Sequence, residues 1–155
     1  QLTGTPGGVL IYDDYGHHPI EIAAVLKAAR QGASGRVIAV VEPHRYSRVQ
    51  DLFEDFCNCF SSADSVVVIP LYSAGEAPID GIDSAALADG IRQTGHPAVA
   101  CVDTVDNLAA LLSRHAGPGD TVVCLGAGVS TEWAYALTGL MQDMASSSEP
   151  ARGAM

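Results

Sequence analysis

Positive charge is scarce in this chain: eight Lys and Arg stand against 18 Asp and Glu, a formal net charge of −10. That balance excludes a nucleic-acid partner held by general electrostatics, because such binding rests on neutralising phosphates with Lys and Arg. Any anion must be met by a few placed cations. No apolar run approaches the ~18 residues of a membrane span, so no membrane segment is expected. There is no Gly-x-x-x-x-Gly-Lys-Ser/Thr loop to cradle a nucleoside triphosphate, no Gly-x-Ser-x-Gly nucleophile elbow and no histidine spacing of a zinc site, so no metal ligands are expected. Cys57, Cys59, Cys101 and Cys124 lack Cys-x-x-Cys spacing and sit in apolar segments. They predict buried free thiols in a reducing cytoplasm rather than disulfides. The N-terminal stretch has neither a basic region nor a long apolar run, so no signal peptide is expected. Residues 1–8, Gln-Leu-Thr-Gly-Thr-Pro-Gly-Gly, read as a linker or an excised domain edge.

What is present is a globular composition. Hydrophobic residues make up 48 % of the 155 and fall in short runs between Gly, Pro, Asp and Ser, which suits one domain over residues 9–144. Val9–Tyr12, Arg36–Val41, Ser65–Ile69, Ala98–Val102 and Thr121–Leu125 are apolar enough to be strands buried on both faces. Between them run amphipathic patterns. Pro19 suits the first position of a helix carrying Ile22, Val25, Leu26 and Ala29, and Leu52, Phe53, Phe56, Cys57 and Phe60 mark one face of a second. Ala85–Arg92 predicts a short helix, Val105, Leu108, Ala109 and Leu112 another, and Trp133 to Met144 a last one. Strands alternating with helices predict an α/β, Rossmann-like, open and mostly parallel sheet of five to six strands with helices on both faces. From Ala145 to residue 155 the composition predicts a disordered tail.

In such sheets ligands bind outside the carboxyl ends of the strands, and those ends collect the unusual residues. The first brings Asp13, Asp14, Tyr15, His17 and His18; the second Glu42, His44, Arg45 and Arg48; the third Tyr72 and Glu76; the fifth Gly126, Gly128, Ser130 and Thr131. Each has a plain structural reading. Paired acids after a strand make turns and caps, and a strand–helix turn needs glycine in any case. Arg45 and Arg48, however, would oppose the dipole of a helix starting there, which stability alone does not favour. Three apart, they could grip one carboxylate or phosphate with forked donors. Gly126-Ala127-Gly128 would let backbone N–H groups approach an anion at the start of the last helix.

Asp13-Asp14-Tyr15-Gly16-His17-His18-Pro19 together with Pro43-His44-Arg45-Tyr46-Ser47-Arg48 resembles the C-terminal domain of the Mur ligases, and within them the members that add L-alanine to UDP-N-acetylmuramate. Asp51-Leu52-Phe53, Tyr72 to Ile79 and Gly126-Ala127-Gly128 extend the likeness over about Val9 to Leu140. The resemblance implies an ATP-dependent ligase of peptidoglycan synthesis, built of N-terminal, central and C-terminal domains. An acyl phosphate formed from ATP is attacked by the alanine amine, and ATP and Mg2+ are held mainly by the central domain. It also implies that Asp14 contacts the ATP ribose, that Tyr15, His17, His44, Arg45 and Arg48 hold the substrates, that His17 and His44 are catalytic, and that Gly126 and Gly128 supply last-strand contacts. Alone, this domain would then be inactive.

Two departures stand out. Glu42 occupies a position where the family commonly has Gln, and Val129-Ser130-Thr131-Glu132-Trp133 differs from the usual run after the last-strand glycines. A related ligase that attaches a recycled tripeptide shares the His-His-Pro motif. A signalling receiver domain would also end its first strand on paired acids, but the chain has no Asp after the third strand and no Lys after the fifth, where it reads Pro70-Leu71-Tyr72 and Gly126-Ala127-Gly128.

Overall fold

The structure, a computed structural model, describes residues 1–148. Six strands, β1 (Leu2–Gly4), β2 (Leu10–Asp14), β3 (Val37–Val41), β4 (Ser65–Val68), β5 (Val99–Cys101) and β6 (Thr121–Leu125), form one sheet in the order β1-β2-β6-β3-β4-β5. All neighbours are parallel except β1, which pairs antiparallel with β2. The helices are α1 (Pro19–Gly32), α2 (Tyr46–Asp51), α3 (Phe53–Cys57), α4 (Ser84–Gln93), α5 (Val105–His115) and α6 (Ser130–Ser148).

The alternation inside the central strands decides where the helices go. Val37, Ala39 and Val41 of β3 join Val66, Val68, Val123 and Leu125 in a core with Ile22, Leu26, Phe56 and Leu87 from α1, α3 and α4. Ile38, Val40, Val67, Val122 and Cys124 face the other way, against Leu108 and Leu112 of α5 and Ala134 and Leu137 of α6. Every residue of β3 and β6 is buried, as a strand covered on both faces requires. The expected doubly covered α/β sheet is therefore present.

Three local features differ from the sequence reading. Residues 1–8 are not a bare linker: β1 covers the open edge of β2, Thr3 donates to the Ile11 and Ala134 carbonyls, and Gly4 lies so close to Thr138 that a side chain there would collide with it. Three residues set among Gly and Pro carry too little periodicity to announce such a strand. The second helix begins earlier than its apolar face suggests, at Tyr46, and bends at Leu52 (φ −116°, ψ 24°). The Leu52 amide still donates to Arg48 and the Phe56 amide to the Leu52 carbonyl, so backbone bonding runs across the bend. In the tail expected from Ala145, α6 continues through Ser148, and residues 149–155 lie outside the described part. The cysteines are free, with Cys57, Cys59 and Cys124 buried and Cys101 exposed on edge strand β5.

The start of β6 is fastened by Asp120, which is 6 % exposed. Its carboxylate accepts the Arg36 amide at 2.8 Å, the Arg36 guanidinium at 2.9 Å and the Gly117 amide at 2.9 Å. Burial pushes this carboxyl up, but the hydrogen bonds from Gly117 and Arg36 outweigh it and hold it below the ordinary value of 3.8. A depressed folded-state value means that the unfolded chain takes up the proton first, so this stabilisation is present above the ordinary value and is lost as pH falls through the lower, folded one. Asp120→Ala should cost about 2 kcal/mol at pH 7 and markedly less near pH 2. Urea unfolding at the two pH values checks this, and an equal loss at both would contradict it.

Candidate functional site

Because β6 lies between β2 and β3, the carboxyl ends of β2, β6, β3 and β4 stand side by side. The topology thus brings the turns after four strands to one end of the sheet.

After β2, the two acids part company, since successive side chains of a strand point to opposite faces. Asp13 accepts the Thr131 hydroxyl at 3.1 Å, toward α6, whereas Asp14 Oδ1 accepts the Gly16 amide at 2.8 Å and shapes the turn. The two histidines also separate. His18 is the N-cap of α1: its Nδ1 accepts the Ile20 amide at 3.3 Å, while Glu21 accepts the His17 and His18 amides at 3.1 and 3.3 Å. Those amide bonds hold the Glu21 carboxyl below the usual range. His18 is therefore used by the fold, and His17 is the one turned to the strand ends.

His17 Nδ1 lies 2.8 Å from the Tyr15 carbonyl, which can only accept, so Nδ1 carries the proton and Nε2 is left as the basic nitrogen. His44 has the opposite tautomer. Its Nδ1 is 3.2 Å from Arg48 Nη1, and a guanidinium only donates, so Nδ1 accepts and Nε2 carries the proton. Burial lowers the His44 ionisation below the ordinary histidine value, with Arg48, His17 and Arg45 adding to the effect and Glu76 opposing it. His44 is thus kept neutral, and its ring centroid stands 5.4 Å from that of His17.

The turn carrying His44 is held against the loop after β4. The Tyr72 amide donates to the Pro43 carbonyl at 2.8 Å, and the Arg45 amide donates to the Tyr72 carbonyl at 2.8 Å. Arg45 itself adopts φ 69°, a left-handed conformation that costs a non-glycine residue about 1–3 kcal/mol and persists where the surroundings over-determine it. Glu76 finishes the clamp by accepting the Ser47 amide at 3.1 Å and hydroxyl at 2.5 Å. Among the described residues neither Arg45 nor Arg48 forms an ion pair, whereas Arg30, Arg36 and Arg92 each do. Lys27 and Arg114 form none either, but Arg45 and Arg48 lie three residues apart in the turn after β3, so together they bring two unpaired cations to the strand ends. Arg45 and Tyr15 are exposed, and His17, His44 and Arg48 are half-buried.

Gly126 and Gly128 do not offer their N–H groups to a ligand. The Gly126 amide donates to the Asp14 carbonyl at 3.2 Å. The amides of Gly128, Val129 and Ser130 donate to the Glu42 carboxylate at 2.6, 2.8 and 3.2 Å. Glu42, 1 % exposed, therefore fills the anion site at the start of α6 with a group of the chain's own. Burial pushes its carboxyl up, against the amide bonds that lower it. Both glycines are needed for space: a side chain on Gly126 would strike Ser130 and Glu42, and one on Gly128 would meet Tyr72 and Glu42. Sequence reasoning singled out Glu42, Tyr72 and Glu76 at the strand ends but gave them no part. The available signal for Glu42 was an acid directly following a wholly apolar strand.

A larger cavity, of about 840 Å³, opens beyond β4 and β5 between Tyr46, Asp83, Asp103 and Arg114. It takes in none of Asp14, Tyr15, His17, His44, Arg45, Arg48, Gly126 and Gly128.

An α/β sheet whose strand ends gather this His, Arg and acid set defines a class: the chain belongs to the Mur ligase family, whose glutamate ligase domain model matches residues 1–128. More particularly, it is 58 % identical over 137 residues to the UDP-N-acetylmuramate–L-alanine ligase of Methylobacterium nodulans, covering 88 % of this chain and 29 % of that protein. It is 59 % identical over 140 residues to the ligase of the same description from Maricaulis maris, covering 90 % and 30 %. The chain thus spans about three-tenths of the length of the curated relatives it matches. Among solved structures, the murein peptide ligase of Psychrobacter arcticus superposes with a TM-score of 0.72 at 20 % identity, over 92 % of this chain and 29 % of that one. The UDP-N-acetylmuramate-alanine ligase of Thermotoga maritima superposes with a TM-score of 0.67 at 20 % identity, over 92 % and 28 %. These two likenesses establish the shared fold.

Proposed function

We propose that this chain is the C-terminal, amino-acid-binding domain of an ATP-dependent ligase that joins L-alanine to UDP-N-acetylmuramate in cytoplasmic peptidoglycan synthesis. The observation that carries the reading is the meeting of two arginines without ion pairs and two histidines of opposite tautomer at the open end of the sheet. The identity to curated alanine ligases over nearly nine-tenths of the chain supports it.

The roles follow from the chemistry. A planar guanidinium matches a carboxylate with two parallel donors, so Arg48, with Arg45 beside it, holds the alanine carboxylate. The alanine amine must lose a proton to attack an acyl phosphate, and His17 Nε2 is the free basic nitrogen that takes it. His44 presents Nε2–H, which donates to oxygen charge developing on the reacting carbonyl or phosphate. Tyr15, exposed beside His17, closes over the substrate, and Asp14 keeps a carboxylate oxygen for the ATP ribose. Among the described residues no three His, Cys, Asp or Glu gather as a metal set, so no metal-holding role is given to them. Mg2+, which would neutralise phosphate charge, and most of the ATP are assigned to the central domain of the parent, as UDP-N-acetylmuramate is to the other domains. No helix among the described residues is long and apolar enough to cross a membrane.

The test is an assay of the full-length parent with UDP-N-acetylmuramate, ATP and Mg2+ and, in turn, alanine, glycine and serine. Alanine should be the best amino-acid substrate, and the isolated 155-residue chain should show neither ligation nor ATP hydrolysis. Ligation of a preformed tripeptide but of no single amino acid would overturn the assignment in favour of a recycling ligase.

A further inference from the structure

Four rings stand in a row across the ends of β4, β3 and β2. Tyr72 and His44 stack with centroids 5.3 Å apart and planes at 17°. His44 and His17 follow at 5.4 Å, and His17 and Tyr15 at 5.1 Å, nearly edge to face. The far end of the row rests on the backbone of Gly128: a Cβ built there would lie 2.6 Å from the Tyr72 ring carbons. Tyr72 therefore sits between the last-strand turn and His44, and Gly128 lacks a side chain where the ring needs the space. None of this is demanded by the core, since Tyr72 is 40 % exposed.

We propose that Tyr72 is a positioning residue for His44: its ring, seated on Gly128, fixes the plane of the imidazole and shields it from water, so that Nδ1 stays toward Arg48 and Nε2–H toward the substrate. This deepens the ligase reading and rests on it for the catalytic consequence, though the effect on His44 itself does not. The charged and titratable groups facing His44 are Arg45 and Arg48 from its own turn and α2, His17 from the β2–α1 turn, and Glu76 from the loop after β4. Tyr72 adds no charge to that set; it adds desolvation, which is the largest influence lowering His44. Removing the ring readmits water, stabilises the charged imidazole and raises the ionisation. A protonated His44 can no longer accept from Arg48.

The experiment has two arms. In the 155-residue chain, NMR titration of the His44 ring should show its midpoint moving upward in Tyr72→Ala, returning to the parental value in Tyr72→Phe, and moving upward again in Gly128→Ala, which displaces the ring. In the full-length parent, Tyr72→Ala should lower kcat/KM for ligation about 10- to 100-fold and move the acid limb of its pH profile upward, with Tyr72→Phe restoring both. An unmoved His44 midpoint in Tyr72→Ala and Gly128→Ala overturns the proposal whether or not the parent is a ligase. Absence of ligation in the unaltered parent, with the midpoint still shifting, would instead remove the ligase reading and leave the placement of His44 by Tyr72 standing. A purely structural Tyr72 would reduce folded protein and leave both the midpoint and the acid limb where they were.

Discussion

His17→Ala and Arg48→Ala, each made in the full-length parent, should lower ligation by about 10²–10³-fold while the domain keeps its fold. For His17 the loss follows from its hydrogen bond: with Nδ1–H committed to the Tyr15 carbonyl at 2.8 Å, Nε2 is the one basic nitrogen the ring offers, and alanine replaces it with nothing that titrates. For Arg48 two functions go together, the fork that holds a carboxylate and the donor that keeps His44 Nδ1 in its accepting state at 3.2 Å. Arg48→Lys should recover little, because a single ammonium cannot reproduce the planar fork. Neither side chain is part of the two hydrophobic clusters, so circular dichroism and urea unfolding should match the parent. Unchanged kinetics in both variants would remove these residues from the site. His18→Ala is the contrasting case: it removes the α1 cap, costs about 1 kcal/mol of stability, and should affect ligation far less than His17→Ala.

The largest effect on stability should come from Glu42→Ala, which is expected to lower unfolding free energy by about 3 kcal/mol. One buried carboxylate answers three consecutive amides at the start of a 19-residue helix, and all three lose their partner at once. The change also removes the side-chain bonds between the end of β3 and the β6–α6 turn that seats Tyr72 and so His44, leaving the backbone bond from the Glu42 amide to the Leu125 carbonyl. Glu42→Gln keeps the shape but has one accepting oxygen instead of two, and should lose about 1–2 kcal/mol. The urea midpoints of the two variants in the 155-residue chain are the measurement, with Ala expected well below Gln and both below the parent. Equal stability of all three would mean that the Glu42 hydrogen bonds contribute nothing net.

The alternation of apolar runs with amphipathic helices was legible because each strand here is covered on both faces, so burial is written directly into residues such as Val37–Val41 and Thr121–Leu125. Strand order was not, since nothing local in Thr121–Leu125 says that the last strand is inserted between the first two parallel ones. That insertion makes the site a single place, and it also brings Glu42 beside Gly128. Two glycines after a strand looked like an opening for a ligand; the structure gives their N–H groups to Asp14 and Glu42 and their missing side chains to Glu42, Ser130 and Tyr72. A cap supplied from 86 residues away in sequence leaves no local pattern. The division of labour between His17 and His18 was equally hidden, because adjacent histidines before a proline have the same composition whichever one caps the helix. The edge strand Leu2–Gly4 escaped notice because its pairing depends on contacts with Ile11, Ala134 and Thr138, not on its own residues.

The central claim, that the Arg45 and Arg48 pair holds the amino-acid carboxylate rather than a nucleotide phosphate, is tested most directly by the separate KM values of the Arg48→Ala parent protein. The account predicts a KM for L-alanine raised at least tenfold with the KM for ATP unchanged; a raised KM for ATP with that for alanine unmoved would contradict it.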